Sequence, residues 1–265
     1  YRSSAASDVY KRQALISGAG AHRGLGAQAH VVGDLSGDAI PELAIGLDDG
    51  STAELLLLFS GEVRGDLTES DRLGSVTAPA VGQAADVRAH GGDLDGDGQG
   101  DLLLADPHLD SGAVYLLAGP ITGDVSTDEA AGVLHGTGDA DRFGMSTTRP
   151  EDLNGDGYPD LLIGTDRASP HGAEVGAAYV FFGPVTGTGS SDDAAVVLYG
   201  SDTDDGIASS VGISSDGVLL IGTSRLQGDD DVRVVNLPGE GHHAIADVTS
   251  EILCIDEDGS GHSAS

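Results

Sequence analysis

Gly92-Asp93-Leu-Asp95-Gly-Asp97-Gly98-Gln99-Gly-Asp101-Leu-Leu-Leu-Ala105 decides the fold. Its first part sets a carboxylate at every second position, a pattern for a tight loop and not for a packed element. Its second part is apolar at every position, which suits a short strand buried on both faces. The same sentence is written twice more, as Gly33-Asp34-Leu-Ser-Gly-Asp-Ala-Ile-Pro-Glu-Leu-Ala-Ile-Gly46 and as Glu151-Asp152-Leu-Asn-Gly-Asp-Gly-Tyr-Pro-Asp-Leu-Leu-Ile-Gly164. Asp34, Asp93 and Asp152 are 59 residues apart in both steps. A fixed period of this length marks a repeat architecture.

Outward from the loops, a second block also repeats. Gly119-Pro-Ile-Thr-Gly through Val133-Leu-His-Gly136 matches Gly183-Pro-Val-Thr-Gly through Val197-Leu-Tyr-Gly200 at an offset of 64. Leu161-Leu-Ile-Gly-Thr165 recurs as Leu219-Leu-Ile-Gly-Thr223 at an offset of 58, so the fourth repeat lacks six residues of the acidic loop and keeps the strand. Loop and strand are separable parts. Further strands are expected at Leu55–Phe59, Ala113–Ala118, Ala177–Phe182 and Val232–Val235, then at Gly132–Leu134 and Ala195–Tyr199. No stretch has helical periodicity with caps. Three to four antiparallel strands per ~60 residues predict an all-β fold, a β-propeller of about four blades with hairpin loops at their tips. The blades are expected over residues 14–240, and residues 241–265 look like the start of a further, truncated repeat. Tyr1–Gln13 shares nothing with the repeats, resembles translated adapter sequence, and is expected to be a non-native or unstructured segment.

The chain has 12 Lys and Arg against 44 Asp and Glu, a net charge of −32. That surface repels nucleic-acid phosphates and anionic membranes, because no basic footprint exists to release counterions. It attracts cations. The 42 glycines follow no three-residue period, which excludes collagen and fits many tight turns. One cysteine, Cys254, excludes an intrachain disulfide. No apolar run approaches the ~20 residues of a membrane-spanning helix, so no membrane insertion is expected.

In the second repeat Asp93, Asp95, Asp97 and Asp101 hold loop positions 1, 3, 5 and 9, the Gln99 carbonyl holds position 7, and Gly98 permits the turn. Like charges about 4 Å apart repel by roughly 4 kcal/mol per pair at an effective dielectric near 20. A hard divalent cation removes that cost, and calcium suits a flexible, oxygen-only cage best. The third loop offers Asp152, Asn154, Asp156, the Tyr158 carbonyl and Asp160. The first is a reduced version: Asp34, Ser36, Asp38, the Ile40 carbonyl and Glu42, with Ala39 where the others have a turn glycine. An EF-hand is excluded, since its Glu at position 12 is replaced by Ile45, Leu104 and Ile163, already inside strands. Asp256-Glu-Asp258-Gly-Ser260-Gly261 begins a similar loop whose position 9 would be Ala264.

These loops, each followed by an apolar strand, with Arg142-Phe143-Gly144 and Arg72-Leu73-Gly74 upstream, resemble the FG-GAP repeats of integrin alpha-subunit propellers and their bacterial relatives. The resemblance runs from about Gly24 to Asn236. The flanking motif is eroded: only Phe143-Gly144 keeps the Phe-Gly pair, and Gly-Ala-Pro has become Ala105-Asp106-Pro107 and Gly164-Thr165-Asp166. The resemblance implies seven-bladed propellers that bind calcium in blade hairpins and serve adhesion or ligand binding outside the cell. About four blades would leave two sheet edges open, so the remainder of the propeller is expected to lie outside this chain.

No G-x-S-x-G elbow, H-E-x-x-H pair, P-loop or dinucleotide fingerprint is present, and no catalytic centre is expected. His242-His243 reads as solvated loop, Cys254 as a small core residue, and the acidic linkers Asp124–Glu129 and Ser190–Asp193 as a solvated face. The reading that follows is a non-enzymatic, secreted or surface module with structural calcium and a protein or carbohydrate ligand. The alternatives are the propeller of a larger secreted hydrolase, or an enzyme using the central channel.

Overall fold

A computed structural model describes residues 14–18, 24–47, 54–78, 87–138, 141–170, 174–200, 206–223, 231–255 and 261–264. The adapter-like segment and Asp256–Ser260 of the last acidic loop lie outside the described residues.

Four five-stranded, mostly antiparallel sheets follow one another along the chain. After β1 (Ala14–Ser17), the first repeat supplies β2 (Ala29–Val31), β3 (Glu42–Gly46), β4 (Glu54–Ser60), β5 (Gly65–Thr68) and β6 (Gly74–Thr77). The second supplies β7 (Arg88–Gly92), β8 (Asp101–Asp106), β9 (Ala113–Leu117), β10 (Val125–Ser126) and β11 (Gly132–His135). The third supplies β12 (Ser146–Thr147), β13 (Leu161–Thr165), β14 (Ala177–Phe181), β15 (Gly187–Ser190) and β16 (Val196–Tyr199). The fourth supplies β17 (Ile207–Ile213), β18 (Leu219–Thr223), β19 (Asp231–Val235), β20 (Gly241–Ala244), a four-residue helix α1 (Ile245–Val248), β21 (Thr249–Ile255) and β22 (Gly261–Ala264).

Each expected strand forms to within a residue or two of its ends. Within a repeat, the first, second, third and outermost strands pair antiparallel in chain order, as in β7-β8-β9-β11. The fifth strand of the first three sheets comes from the next repeat. There the connection after the third strand runs back and pairs parallel with the preceding sheet's outermost strand: β10 on β6, β15 on β11 and β20 on β16. Neighbouring sheets are thereby tied through backbone hydrogen bonds as well as side chains.

All of β8, β9, β13 and β14 is buried, because alternate residues face opposite neighbours. Leu102 and Leu104 join Leu56, Leu58 and Val76 of the first sheet in one apolar cluster. Leu103, between them, joins Leu161, Ile163 and Phe181 of the third sheet in the next. A third cluster unites Leu162, Val180 and Leu198 with Leu219, Ile221 and Val235 of the fourth. Each such leucine contributes about 1.5–3 kcal/mol by leaving water. Phe143 of the Phe-Gly pair is fully buried, edge-on to Tyr179 and Phe181 at centroid distances of 5.6 and 6.2 Å.

The acidic linkers present Asp124, Asp128, Glu129, Asp192 and Asp193 to solvent, as expected, and are also ordered: Glu69–Asp71, Thr127–Glu129 and Ser191–Asp193 form 3-10 turns with capping boxes. The carboxylates of Asp71, Glu129 and Asp193 accept the backbone N–H of Thr68, Ser126 and Ser190 at 2.7, 2.9 and 2.8 Å. His242 and His243 stand on β20, not in a loop. Among the described residues no helix is long and apolar enough to cross a membrane.

Candidate metal centre

The three acidic loops join the first and second strands of their sheets, and the backbone of each is folded around its own carboxylates. The carboxylate at position 1 collects N–H groups from the turn. Asp34 accepts Gly37, Asp38 and Ala39 at 2.8, 3.1 and 2.8 Å. Asp93 accepts Gly96 and Gly98 at 2.8 and 3.0 Å. Asp152 accepts Gly155, Asp156 and Gly157 at 2.7, 3.2 and 3.0 Å. Position 6 is left-handed in every loop: Gly98 at φ 87°, Gly157 at φ 93° and Ala39 at φ 69°. The alanine therefore adopts the conformation that its Cβ disfavours by about 1–2 kcal/mol.

Position 5 steadies position 7. Asp38, Asp97 and Asp156 accept the N–H of Ile40, Gln99 and Tyr158 at 2.8, 2.8 and 2.9 Å. Gln99 also donates its side-chain amide to Asp97 at 2.9 Å, and Asn154 does the same to Asp156 at 2.9 Å. At position 3, Asp95 and Asn154 accept the N–H of Asp97 and Asp156 at 3.0 and 2.8 Å, while Ser36 turns its hydroxyl to Glu42 at 3.2 Å.

Position 9 is buried in all three: Glu42, Asp101 and Asp160 are at most 2% exposed. Each accepts the N–H of positions 2 and 3, with Leu35, Leu94 and Leu153 at 2.5, 2.6 and 2.7 Å. Asp101 and Asp160 also accept Gly119 and Gly183, which follow the third strand, at 2.8 and 2.9 Å. Burial pushes the Asp101 and Asp160 carboxyls above the usual carboxylate range, and those donated N–H groups only partly oppose it. Sequence reasoning gave position 9 a ligand role alone. Its second role, locking the loop to the strand end, has no local signal because Gly119 and Gly183 lie 18 and 23 residues away.

The loops also touch one another. Ile121 donates its N–H to the Leu35 carbonyl at 2.7 Å, and the Gly100 backbone lies against the Asp34 carbonyl, where a Cβ would come within 1.9 Å. The Tyr158 ring covers Gly96 of the second loop.

Among the described residues, two groups of three carboxylates bring ligand oxygens within 4.8 Å of one another: Asp34, Asp38 and Glu42, and Asp93, Asp95 and Asp101. Asp97 stands outside the second group. The third loop, with Asn154 in place of a carboxylate, is not one of these groups. The first loop, poorest by sequence, converges all the same. Oxygen-only donors at this spacing fit a hard cation with flexible coordination, which is calcium chemistry. Elsewhere, a polar cavity of about 240 Å³ is lined by Thr137, Asp141, Tyr179, Ser191, Asp192 and His242, among others.

Residues 143–181 match the FG-GAP repeat family. The chain is 30% identical over 169 residues to integrin alpha-PS2 of Drosophila melanogaster, covering 59% of this chain and 11% of that protein. It is 40% identical over 114 residues to phosphatidylinositol-glycan-specific phospholipase D of Bos taurus, covering 37% of this chain and 13% of that protein. It is 34% identical over 134 residues to integrin alpha-3 of Cricetulus griseus, covering 51% of this chain and 12% of that protein. The matched part thus spans little more than a tenth of each relative. The chain thus carries an FG-GAP repeat and is related over part of its length to integrin alpha subunits and to phosphatidylinositol-glycan-specific phospholipase D.

Proposed function

We propose that this chain is part of a calcium-stabilised β-propeller that works outside the cell as a non-catalytic binding module, with a protein or carbohydrate ligand. The four sheets are its blades, and calcium fastens the hairpin that joins the two inner strands of each loop-bearing blade. One observation carries the reading: three loops share one hydrogen-bond frame, and two of them bring three carboxylates within 4.8 Å. Such sites bind calcium in the ~10⁻⁴–10⁻³ M range typical of extracellular modules, and cytosolic calcium would leave them empty. The test is thermal unfolding in about 1 mM calcium, in equal magnesium, and in chelator. Calcium alone should raise the midpoint. Equal midpoints in calcium and chelator would refute the reading.

A second reading is favoured by the match to phosphatidylinositol-glycan-specific phospholipase D in cattle and human, at 40% and 39% identity. In it the module accompanies a catalytic domain of a larger hydrolase. Sequence of the flanking gene separates the two.

A further inference from the structure

We infer that the acidic loops do not bind calcium independently. Gly100 of the second loop is a positioning residue for the first loop, and the Tyr158 ring of the third is one for the second, so an ion held in one loop tightens binding in its neighbour. This coupling rests on the calcium reading above and makes the row of sites fill over a narrow calcium range.

The seam between the first and second loops is backbone against backbone. Position 8 is Pro41 in the first loop and Pro159 in the third, but Gly100 in the second. Gly100 lies outside the left-handed region, so its own turn does not demand a glycine. The first loop demands it: a Cβ on Gly100 would come within 1.9 Å of the Asp34 carbonyl oxygen. Asp34 holds position 1 of the first loop, and its carboxylate is one of the converging three. A chain of backbone bonds runs beside this contact. The Asp101 carboxylate accepts the Gly119 N–H at 2.8 Å. Two residues on, Ile121 donates to the Leu35 carbonyl at 2.7 Å, and Leu35 donates its own N–H to the Glu42 carboxylate at 2.5 Å. Position 9 of the second loop is thereby tied to position 9 of the first.

The seam between the second and third loops is made by a side chain. Position 7 is Ile40, Gln99 and Tyr158 in turn. The Gln99 amide turns back to Asp97 of its own loop. The Tyr158 ring crosses to the second loop, where a Cβ on Gly96 would come within 2.7 Å of its Cε1. Gly96 stands at φ 81° and donates its N–H to Asp93 at 2.8 Å, so the ring covers the turn that holds the position-1 carboxylate. Meanwhile the Tyr158 N–H is fixed by Asp156 at 2.9 Å, and its carbonyl is position 7 of the third loop. One residue serves two loops, the third with its backbone and the second with its ring.

An ion must order the loop it enters. A turn that leans on an already ordered neighbour has less freedom to lose, so the next ion binds more tightly, and linkage makes the gain equal in both directions. Repulsion between two bound cations acts the opposite way and would give negative coupling.

The test is a calcium titration of the 265-residue chain in which the loops are followed separately, through the amide resonances of Gly37, Gly98 and Gly157. Asp38→Ala silences the first loop and Asp156→Ala the third. Each should weaken calcium binding in the second loop at least about fivefold. Tyr158→Ala should weaken the second loop by a similar factor and, combined with Asp156→Ala, add nothing further, whereas Tyr158→Phe should bind as the unmodified chain does. Gly100→Ala should weaken the first loop at least about fivefold and leave the third unchanged. A general loss of stability would instead weaken all three loops together. Tyr158 is 39% exposed and lies outside the apolar clusters, so its variants keep the test intact should Gly100→Ala fail to fold. Second-loop binding that is unchanged or tighter in Asp38→Ala and Asp156→Ala would overturn the inference, as would a Tyr158→Phe chain that behaves like Tyr158→Ala. No calcium binding in any loop would sink the calcium reading and this coupling with it; binding with identical constants in silenced and unsilenced chains would sink the coupling alone.

Discussion

Asp101→Ala separates the structural work of an acidic loop from its metal work. The Asp101 carboxylate accepts Leu94 at 2.6 Å, Asp95 at 3.3 Å and Gly119 at 2.8 Å. Leu94 is buried, so its orphaned N–H costs about 1–3 kcal/mol, and the two part-buried donors add roughly 0.5–1 kcal/mol each where water replaces the carboxylate poorly. Against this, removing a carboxylate whose ionised form is disfavoured by burial returns part of the loss. The net expectation is a destabilisation of about 2–3 kcal/mol in chelator, or roughly 5–10 °C for a chain of this size. Asp97→Ala is the comparison, because Asp97 is exposed and supports only Gln99. It should cost under about 0.5 kcal/mol in chelator. Melting followed by amide exchange in chelator reads both quantities. The Leu94, Asp95 and Gly119 amides should lose protection in Asp101→Ala and keep it in Asp97→Ala. Equal midpoints for the two variants, or unchanged protection at Leu94 and Gly119, would refute the locking role of position 9.

Three further outcomes follow from the same geometry. Ala39→Gly should stabilise the chain by about 0.5–1 kcal/mol, since relief of the φ of 69° outweighs the added chain entropy of glycine; a lower melting midpoint would show that the turn is unstrained. His90 is pushed down to about 4, by burial first and the neighbouring His30 second. Its neutral form is the folded one, so its contribution is complete above pH about 6.5 and is lost as pH falls towards 4; His90→Gln should flatten the pH dependence of the melting midpoint across that window. Ser126→Ala removes the oxygen that accepts the Asp128 N–H at 3.2 Å and should cost about 0.5–1 kcal/mol, with Thr127–Glu129 exchanging faster and the acidic loops unaffected.

Leu102–Ala105 and Leu161–Ile163 are legible as strands because an all-apolar run between glycine-rich loops can only be buried on both faces. The acidic loops are legible because charge alternation fixes their register and the 59-residue period repeats it. Gly187–Ser190 and Val125–Ser126 are not legible as strands. They pair backbone to backbone with a neighbouring sheet, and Gly-Thr-Gly-Ser carries no side-chain pattern to announce it. The capping boxes had a signal in Ser126-x-x-Glu129 and Ser190-x-x-Asp193, which the surrounding acidity hides among solvated charge. Nor does spacing alone say which carboxylates converge: Asp97 fits the pattern yet stands outside the close group of its loop, while Asp38, at the same position, belongs to that of the first loop.

Calorimetric titration of calcium into the stripped chain, with Asp38→Ala and Asp95→Ala beside it, addresses the metal centre most directly. Both residues are exposed, so the fold should survive their loss. Each variant is expected to remove one binding event and leave those of the other loops in place. Binding isotherms for both variants that superimpose on that of the unmodified chain would contradict a calcium site built from these carboxylates.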